Sequence, residues 1–202
     1  HKKFADGGEV IVWETGRAGE EAASYENLFL RKEIAGFRTN IRREQSCSIK
    51  SLTRDYLYKQ LLSSGEYTFD HMLVIKDPYG EAPLTALALF ILEEPACVRV
   101  TTKGNLKETD FVTELPKKKE HRVPILGMYA EKANDIVIEI LDDEGNCVKS
   151  HTFTIRTKRL PKSLRNVITV KKWTDKPAYS NIMINGGVKI HTCVFDIEGE
   201  IR

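Results

Sequence analysis

A two-layer, all-β sandwich is predicted for residues 67–157. Short apolar runs rich in Val, Ile and Leu lie close together there, and several of them alternate apolar with polar residues. Turn signals separate the runs at intervals of roughly 8–12 residues, so that about seven strands fit into about ninety residues. This count and spacing are typical of an immunoglobulin-like sandwich. The predicted fold class is therefore mainly β, an immunoglobulin-like β-sandwich with an N-terminal helical segment and a C-terminal β extension.

Residues 1–66 are predicted to be a leader followed by a helical segment. The run Val10–Trp13 is apolar enough for a short strand, although the glycines around it fit a loose leader equally well. Apolar residues at helical spacing predict helix within residues 20–64, including a helix over Ser48–Ser63 that Gly65 would end.

The predicted strands of the sandwich follow from period-two alternation or from buried apolar runs bounded by turn residues. They cover residues 72–75, 84–92, 97–102, 109–115, 121–126, 136–141 and 148–155. The turn Asp77–Gly80 contains a Pro that presets φ and a Gly that accepts positive φ. Glu93–Pro95 is expected to end the second strand, and Asp142–Asn146 to form a hairpin turn.

Residues 158–202 are predicted to be a linker and further strands. Val188–Phe195 alternates apolar and polar residues, and Asp196–Ile201 has the composition of a hairpin turn entering another strand. Since a strand needs a partner, we expect the chain to be a fragment or its tail to pair elsewhere. The predicted domains are therefore residues 1–66, 67–157 and 158–202.

Composition limits the classes of partner. The 31 basic and 29 acidic residues leave a net charge of +2, which gives no overall attraction to nucleic acid or to an anionic membrane. The longest apolar run, Leu84–Leu92, is much shorter than the roughly 20 residues that a membrane helix needs. No signal peptide opens the chain. We therefore predict no nucleic-acid partner and no membrane span within this chain.

The cysteines and histidines do not form a motif for chemistry. The four cysteines lie about fifty residues apart without a CxxC pair, which argues against a zinc or iron–sulfur site but leaves a disulfide open. The histidines do not have metal-ligand spacing, and no nucleophile elbow or phosphate-binding loop is present. The basic run Lys117–Arg122 is expected to protect a sheet edge. We predict no catalytic, cofactor-binding or metal-binding residue, and no cofactor.

Four segments together resemble bacterial aryl-sulfate sulfotransferases. Asp77–Leu87 (DPYGEAPLTAL) is similar to the motif N/D-P-Y-G-x-A-P-L-T-A that opens the N-terminal domain of that family. Val123–Ala130 (VPILGMYA) resembles the family's PI-x-G-L-Y segment, and Asn134–Ile138 its N-x-V-x-V strand. Phe195–Arg202 resembles a D-x-x-G-x-x-R turn in the first propeller blade. The resemblance covers about residues 67–202.

The resemblance implies a function for a larger protein. Enzymes of this family transfer a sulfuryl group from a phenolic sulfate ester to another phenol, outside the cytoplasm. They consist of a small β-sandwich followed by a six-bladed propeller, and a propeller histidine takes up the sulfuryl group. Those residues would lie beyond Arg202, so no catalytic residue is carried onto this chain. The implied partners are the remainder of the propeller or a second subunit, with phenolic sulfate esters bound only by the full-length enzyme.

Three hypotheses follow for the function. In the first, the chain is the N-terminal portion of such a sulfotransferase, structural or dimerising, in the periplasm, outside the cell or anchored at its surface. In the second, it is a stand-alone immunoglobulin-like binding module at the cell surface, because sandwiches host many functions. In the third, the chain itself binds a sulfate ester or a phenol.

Overall fold

The computed structural model describes residues 1–4, 7–25, 43–160, 181–184 and 193–202. The predicted helical residues 26–42, the basic residues Arg38 and Arg42, and most of the alternating run Val188–Phe195 lie outside the described residues. The helices and strands are β1 (Lys2–Lys3), β2 (Glu9–Trp13), α1 (Thr15–Ala23), α2 (Arg43–Ser63), β3 (His71–Lys76), β4 (Ala86–Thr102), a short 3-10 helix (Lys107–Thr109), β5 (Phe111–Ile125), β6 (Ala133–Leu141), β7 (Cys147–Arg156), β8 (Asn181–Ile184) and β9 (Cys193–Asp196).

Strands dominate the described chain, helices lie in its N-terminal part and a strand pair lies near its C-terminus. The predicted fold class is therefore confirmed. The chain forms two compact units. The first contains His1–Ala82, Ala86–Pro95 and Lys119–Val123, and the second contains Pro83–Thr85, Ala96–Lys118 and Pro124–Arg202. Strands β4 and β5 each contribute to both units.

The first unit contains the strand order β1-β2-β3-β4. Strand β2 pairs in parallel with β3, with Val10 opposite Met72, and β3 pairs antiparallel with β4, with Val74 opposite Ala88. A parallel pair requires a long crossover connection, and the segment that contains α1 and α2 supplies it. Of the two interpretations of Val10–Trp13, the structure therefore selects the strand.

One face of this sheet is covered by the two helices. Alanines of α1, large apolar residues of α2 and inward side chains of the strands form one buried cluster, which gives the helices an apolar side against the sheet. The buried cluster comprises Trp13, Ala18, Ala22, Leu57, Tyr58, Leu62, Tyr67, Leu73, Ile75, Leu87 and Leu89. Apart from Tyr67, which precedes β3, these residues come from β2, α1, α2, β3 and β4, so the helices share a core with the strands of this unit.

Strands β4 and β5 are longer than the sequence predicts. Glu93–Pro95 does not end a strand, and residues 97–102 continue the same strand β4. Likewise the predicted strands 109–115 and 121–126 form parts of the single strand β5. The residues at both expected breaks are exposed and remain extended, because a Pro or a charged side chain is tolerated where one edge or face of a strand meets solvent.

The second unit contains an antiparallel sheet in which β6 lies between β4 and β7. Val100 lies opposite Ile138, and Ile136 lies opposite Phe153. These four side chains are at most 5% exposed and form the inward face, while the register shifts at Ile140 and Leu141, next to the hairpin turn. Strands β8 and β9 form a separate antiparallel pair. Within the described ranges, no helix has the length and apolarity needed to cross a membrane.

Candidate docking sites at the motif turns

The turn after β3 closes through its own backbone and one side chain. The amide of Gly80 donates to the carbonyl of Asp77 at 3.0 Å, and the amide of Ala82 donates to Asp77 Oδ1 at 2.8 Å. Asp77 adopts a positive φ of 45°, a conformation that Asp tolerates better than most residues. The turn therefore presents the carbonyl of Pro78 and the ring of Tyr79 in fixed directions.

Helix α2 supplies two donors to one carbonyl of this turn. Arg54 Nη1 donates to Pro78 O at 2.6 Å and also to Thr15 Oγ1 at 3.3 Å. The hydroxyl of Tyr58, which is fully buried, donates to the same Pro78 oxygen. Arg54 and Tyr58 are four residues apart and so lie on one face of the helix. This geometry holds α2 against the turn.

A second layer of contacts lies at the surface. Tyr79 donates from its hydroxyl to Asp55 Oδ1 at 2.6 Å, and Arg122 Nη2 donates to the same oxygen at 2.5 Å. The Arg122 nitrogen also lies 3.1 Å from the Tyr79 hydroxyl oxygen, and the guanidinium lies 5.9 Å from the centroid of the Tyr58 ring. We call the group Arg54, Asp55, Tyr58, Tyr79 and Arg122 the turn cluster.

The tyrosines of the turn cluster are held in the protonated form. Burial, followed by the hydrogen bond to Asp55, raises the pKa of Tyr79 to about 12. Burial likewise raises the pKa of Tyr58. Both hydroxyls are therefore protonated at neutral pH and act as hydrogen-bond donors.

A second cluster joins the C-terminal turn to the segment that follows β5. Tyr129 donates from its hydroxyl to Asp196 Oδ2 at 2.6 Å. The other carboxylate oxygen of Asp196 accepts the amides of Glu198 at 2.9 Å and Glu200 at 3.0 Å, so that it also shapes its own turn. Arg202 Nε donates to Gly127 O at 2.8 Å, and the guanidinium carbon lies 4.3 Å from the Tyr129 ring centroid.

This second group, Thr109, Gly127, Tyr129, Asp196 and Arg202, is called the Tyr129 cluster below. Arg202 Nη1 donates to the carbonyl of Thr109, while Nη2 is buried without a partner among the described residues. Desolvation lowers the pKa of Arg202 and raises the pKa of Tyr129, whose bond to Asp196 adds to the increase. The Arg202 guanidinium lies over the Tyr129 ring, and the Asp196 carboxylate accepts from the Tyr129 hydroxyl. A cation–π contact and a charge-assisted hydrogen bond thus meet at one side chain and stabilise it.

Asn134 fixes the backbone of Tyr129. Its side-chain oxygen accepts the Tyr129 amide at 2.6 Å, and its Nδ2 donates to the carbonyls of Tyr129 at 3.0 Å and Lys132 at 3.2 Å. The Thr157 hydroxyl donates to the Tyr129 carbonyl at 2.5 Å. Asn134 is only 2% exposed, so these bonds form away from water.

The described histidines lie in three separate places. His1 and His71 both contact Glu9, His121 stacks on Phe90, and His151 is buried opposite Ile138, while His191 lies outside the described residues. The described part of the chain contains no group of three or more His, Cys, Asp or Glu residues that could hold a metal ion.

Other singled-out residues have separate partners. Cys97 and Cys147 are free thiols on strands that flank β6, so they do not form a disulfide with each other. Lys117 pairs with Asp143 at 2.5 Å. Sequence reasoning missed Arg54, Asp55 and Tyr58; the available signal was the helical spacing of Tyr58, which lies four residues after Arg54 and three after Asp55.

These strands and turns define the class as an immunoglobulin-like β domain. Residues 73–158 match the family model described as the arylsulfotransferase immunoglobulin-like domain. The match covers less than half of the 202 residues, and it supports the resemblance that the motifs show. It includes the motif turn, Gly127, Tyr129 and Asn134, whereas α2 and the turn Asp196–Arg202 lie outside it. No curated protein matches the chain.

Proposed function

We propose that this chain is the N-terminal portion of an aryl-sulfate sulfotransferase and that its role there is structural. The whole enzyme would transfer a sulfuryl group from a phenolic sulfate ester to a phenol acceptor. One observation carries the proposal: the Tyr129 cluster joins Gly127 and Tyr129, from the matched region, to Asp196 and Arg202, from the turn that resembles the first propeller blade.

The bonding pattern supports an anchoring role. The polar groups of Gly127 and Tyr129 bond to residues of this chain that lie about seventy positions away. Arg202 is 7% exposed and Asp196 is 1% exposed, so the two charged groups that make these bonds are withdrawn from water. Buried charge-assisted bonds are stronger than exposed ones, and they fix one geometry. An immunoglobulin-like domain that holds the following chain in this way would set where the propeller begins.

The same proposal gives partners and a location. The partners would be the remainder of the propeller or a second subunit, and phenolic sulfate esters would be bound only by the full-length enzyme. The protein would work in the periplasm, outside the cell or anchored at the cell surface, as the family does.

Sulfuryl transfer by the chain alone tests the structural role. The purified protein is mixed with 4-nitrophenyl sulfate and a phenol acceptor, and release of 4-nitrophenol is followed by absorbance. We expect no release above that of the buffer, because the sulfuryl-accepting histidine would belong to the propeller. Catalytic turnover by the 202-residue protein would overturn the structural assignment.

The natural coding sequence tests membership of a larger enzyme. We expect the reading frame to continue past Arg202 into repeated propeller-like strands. A stop codon directly after Arg202 would contradict the proposal and favour a stand-alone immunoglobulin-like binding module.

A further inference from the structure

We propose that the motif turn Asp77–Gly80 is a receptor for a helix and that α2 of this chain is the helix it binds. Residues 1–64 would then complete the unit that the family match enters at residue 73. This inference is independent of sulfuryl transfer, because it concerns only contacts within the first compact unit.

The central contact is a carbonyl with two donors. The Pro78 carbonyl accepts from Arg54 Nη1 at 2.6 Å and from the Tyr58 hydroxyl, both of which belong to α2. A backbone carbonyl has two lone pairs, so two donors use its full accepting capacity. Tyr58 is fully buried when α2 is docked, so its hydroxyl has given up water there, and the Pro78 carbonyl replaces the lost hydrogen bond.

The outer contacts close over the central one. Asp55 of α2 accepts from Tyr79 of the turn and from Arg122 of β5, so two elements of the matched region hold one helical carboxylate. The rings of Tyr58 and Tyr79 meet edge to face with centroids 5.9 Å apart. Such aromatic pairs add about 0.5–1.5 kcal/mol to the area that they bury. Buried donors inside a rim of polar and aromatic groups are the pattern of a specific protein interface.

Independent contacts bring the same segment to the strands. Five residues of β2 pair with five residues of β3, with Trp13 opposite Ile75 at one end. Leu57 and Leu62 of α2 belong to the same buried cluster as the inward residues of β3 and β4. Segment 1–64 thus contributes a strand, an apolar helix face and the donors to the turn.

A cut in the connection between α2 and β3 tests the proposal in the whole chain. Ser64, Gly65 and Glu66 are exposed, so a specific protease site introduced there is accessible to the enzyme. After cleavage, gel filtration and circular dichroism show whether the two fragments remain together and folded. We expect co-elution with the spectrum of the uncut protein. Separation of the fragments in buffer, whether or not the larger one stays folded, would contradict the proposal.

Variants of the cut protein test the turn itself. Removing the donor with Tyr58→Phe should raise the protein concentration at which half of the fragments separate by about fivefold, the effect expected of one hydrogen bond. Thr53→Val is the matched control: it removes a hydroxyl from the same helix whose bond, to the Lys50 carbonyl at 2.9 Å, stays within that helix, so its midpoint should stay unchanged. A midpoint for Tyr58→Phe that equals that of the control would show that the turn is not the receptor.

Discussion

Replacing Asn134 with Ala should destabilise the protein more than any exposed asparagine substitution would. The side chain accepts the Tyr129 amide at 2.6 Å and donates to two carbonyls at 3.0 and 3.2 Å, from a position that is 2% exposed. In Asn134→Ala these backbone groups stay buried and lose this partner. Both carbonyls keep another donor: the hydroxyl of Thr157 donates to the Tyr129 carbonyl, and the amide of Thr157 donates to the Lys132 carbonyl at 3.1 Å.

The magnitude follows from these bonds. A buried amide without an acceptor costs about 1–3 kcal/mol, and each further bond lost contributes about 1 kcal/mol. Since both carbonyls keep a donor, the unpaired Tyr129 amide dominates, and we expect a loss of about 2 kcal/mol in the free energy of unfolding. The effect should spread to the Tyr129 cluster, because Asn134 fixes the backbone that carries the Tyr129 ring.

Urea unfolding followed by far-UV circular dichroism measures this loss. The matched control is Asn146→Ala in the exposed hairpin turn, where Nδ2 donates to Asp142 Oδ2 at 3.1 Å; surface changes of this kind are within about 0.5 kcal/mol. If Asn134→Ala lowers the free energy of unfolding by no more than Asn146→Ala does, the buried bonds do not contribute as argued.

Three other measurements probe the fold. Gly127→Ala should lower the free energy of unfolding by about 3 kcal/mol in a urea titration, because φ is +73° and the new Cβ would lie 2.8 Å from Phe111. Gly145→Ala, at φ +85°, meets no neighbour within 4 Å and should cost less. Equal losses for the two variants would refute this reasoning. The free energy of unfolding should fall as pH rises from about 10 towards 12, because the unfolded chain releases the Tyr79 proton at a lower pH than the folded chain does. Tyr79→Phe should make this dependence on pH less steep. An unchanged dependence in that variant would contradict the raised pKa of Tyr79. Cys147 should react with a thiol reagent before the less exposed Cys97, and non-reducing mass analysis should show no bond between them; equal rates would contradict the difference in exposure, and such a bond would contradict the strand register.

The sequence predicted the elements whose signals are local. Period-two alternation located β6 and β7, and the acidic and Gly-containing turn between them fell at Asp142–Asn146 as expected. Helical spacing together with Gly65 located the end of α2, which the structure places at Ser63. These signals depend on neighbours within a few residues, so one sequence is enough to detect them.

Contacts between distant residues were not predictable in the same way. Nothing within β2 tells whether Val10–Trp13 pairs, because its partner β3 lies about sixty residues further along. Pro95 looked like a strand end because Pro cannot donate to a ladder, yet a position where no donor is needed accepts it. The basic run that contains Arg122 was expected to protect a sheet edge. The guanidinium of Arg122 instead bonds to Asp55 of α2, a partner 67 residues away that no local pattern could indicate.

The boundaries of the domains stay a proposal. The predicted boundaries follow composition along the chain and give segments 1–66, 67–157 and 158–202. The compact units follow contacts in space, and each of them contains part of β4 and part of β5. The two descriptions measure different properties.

Hydrogen–deuterium exchange of the C-terminal turn measures most directly whether the immunoglobulin-like domain holds the chain that follows it. The amides of Asp196, Gly199 and Arg202 donate at 2.8–3.0 Å and should exchange slowly. Tyr129→Phe, which removes the bond to Asp196, should speed their exchange, while Tyr79→Phe should leave it unchanged. Amides that exchange at the rate of an unfolded peptide in the unaltered protein, or at the same rate after Tyr129→Phe, would contradict the anchoring role.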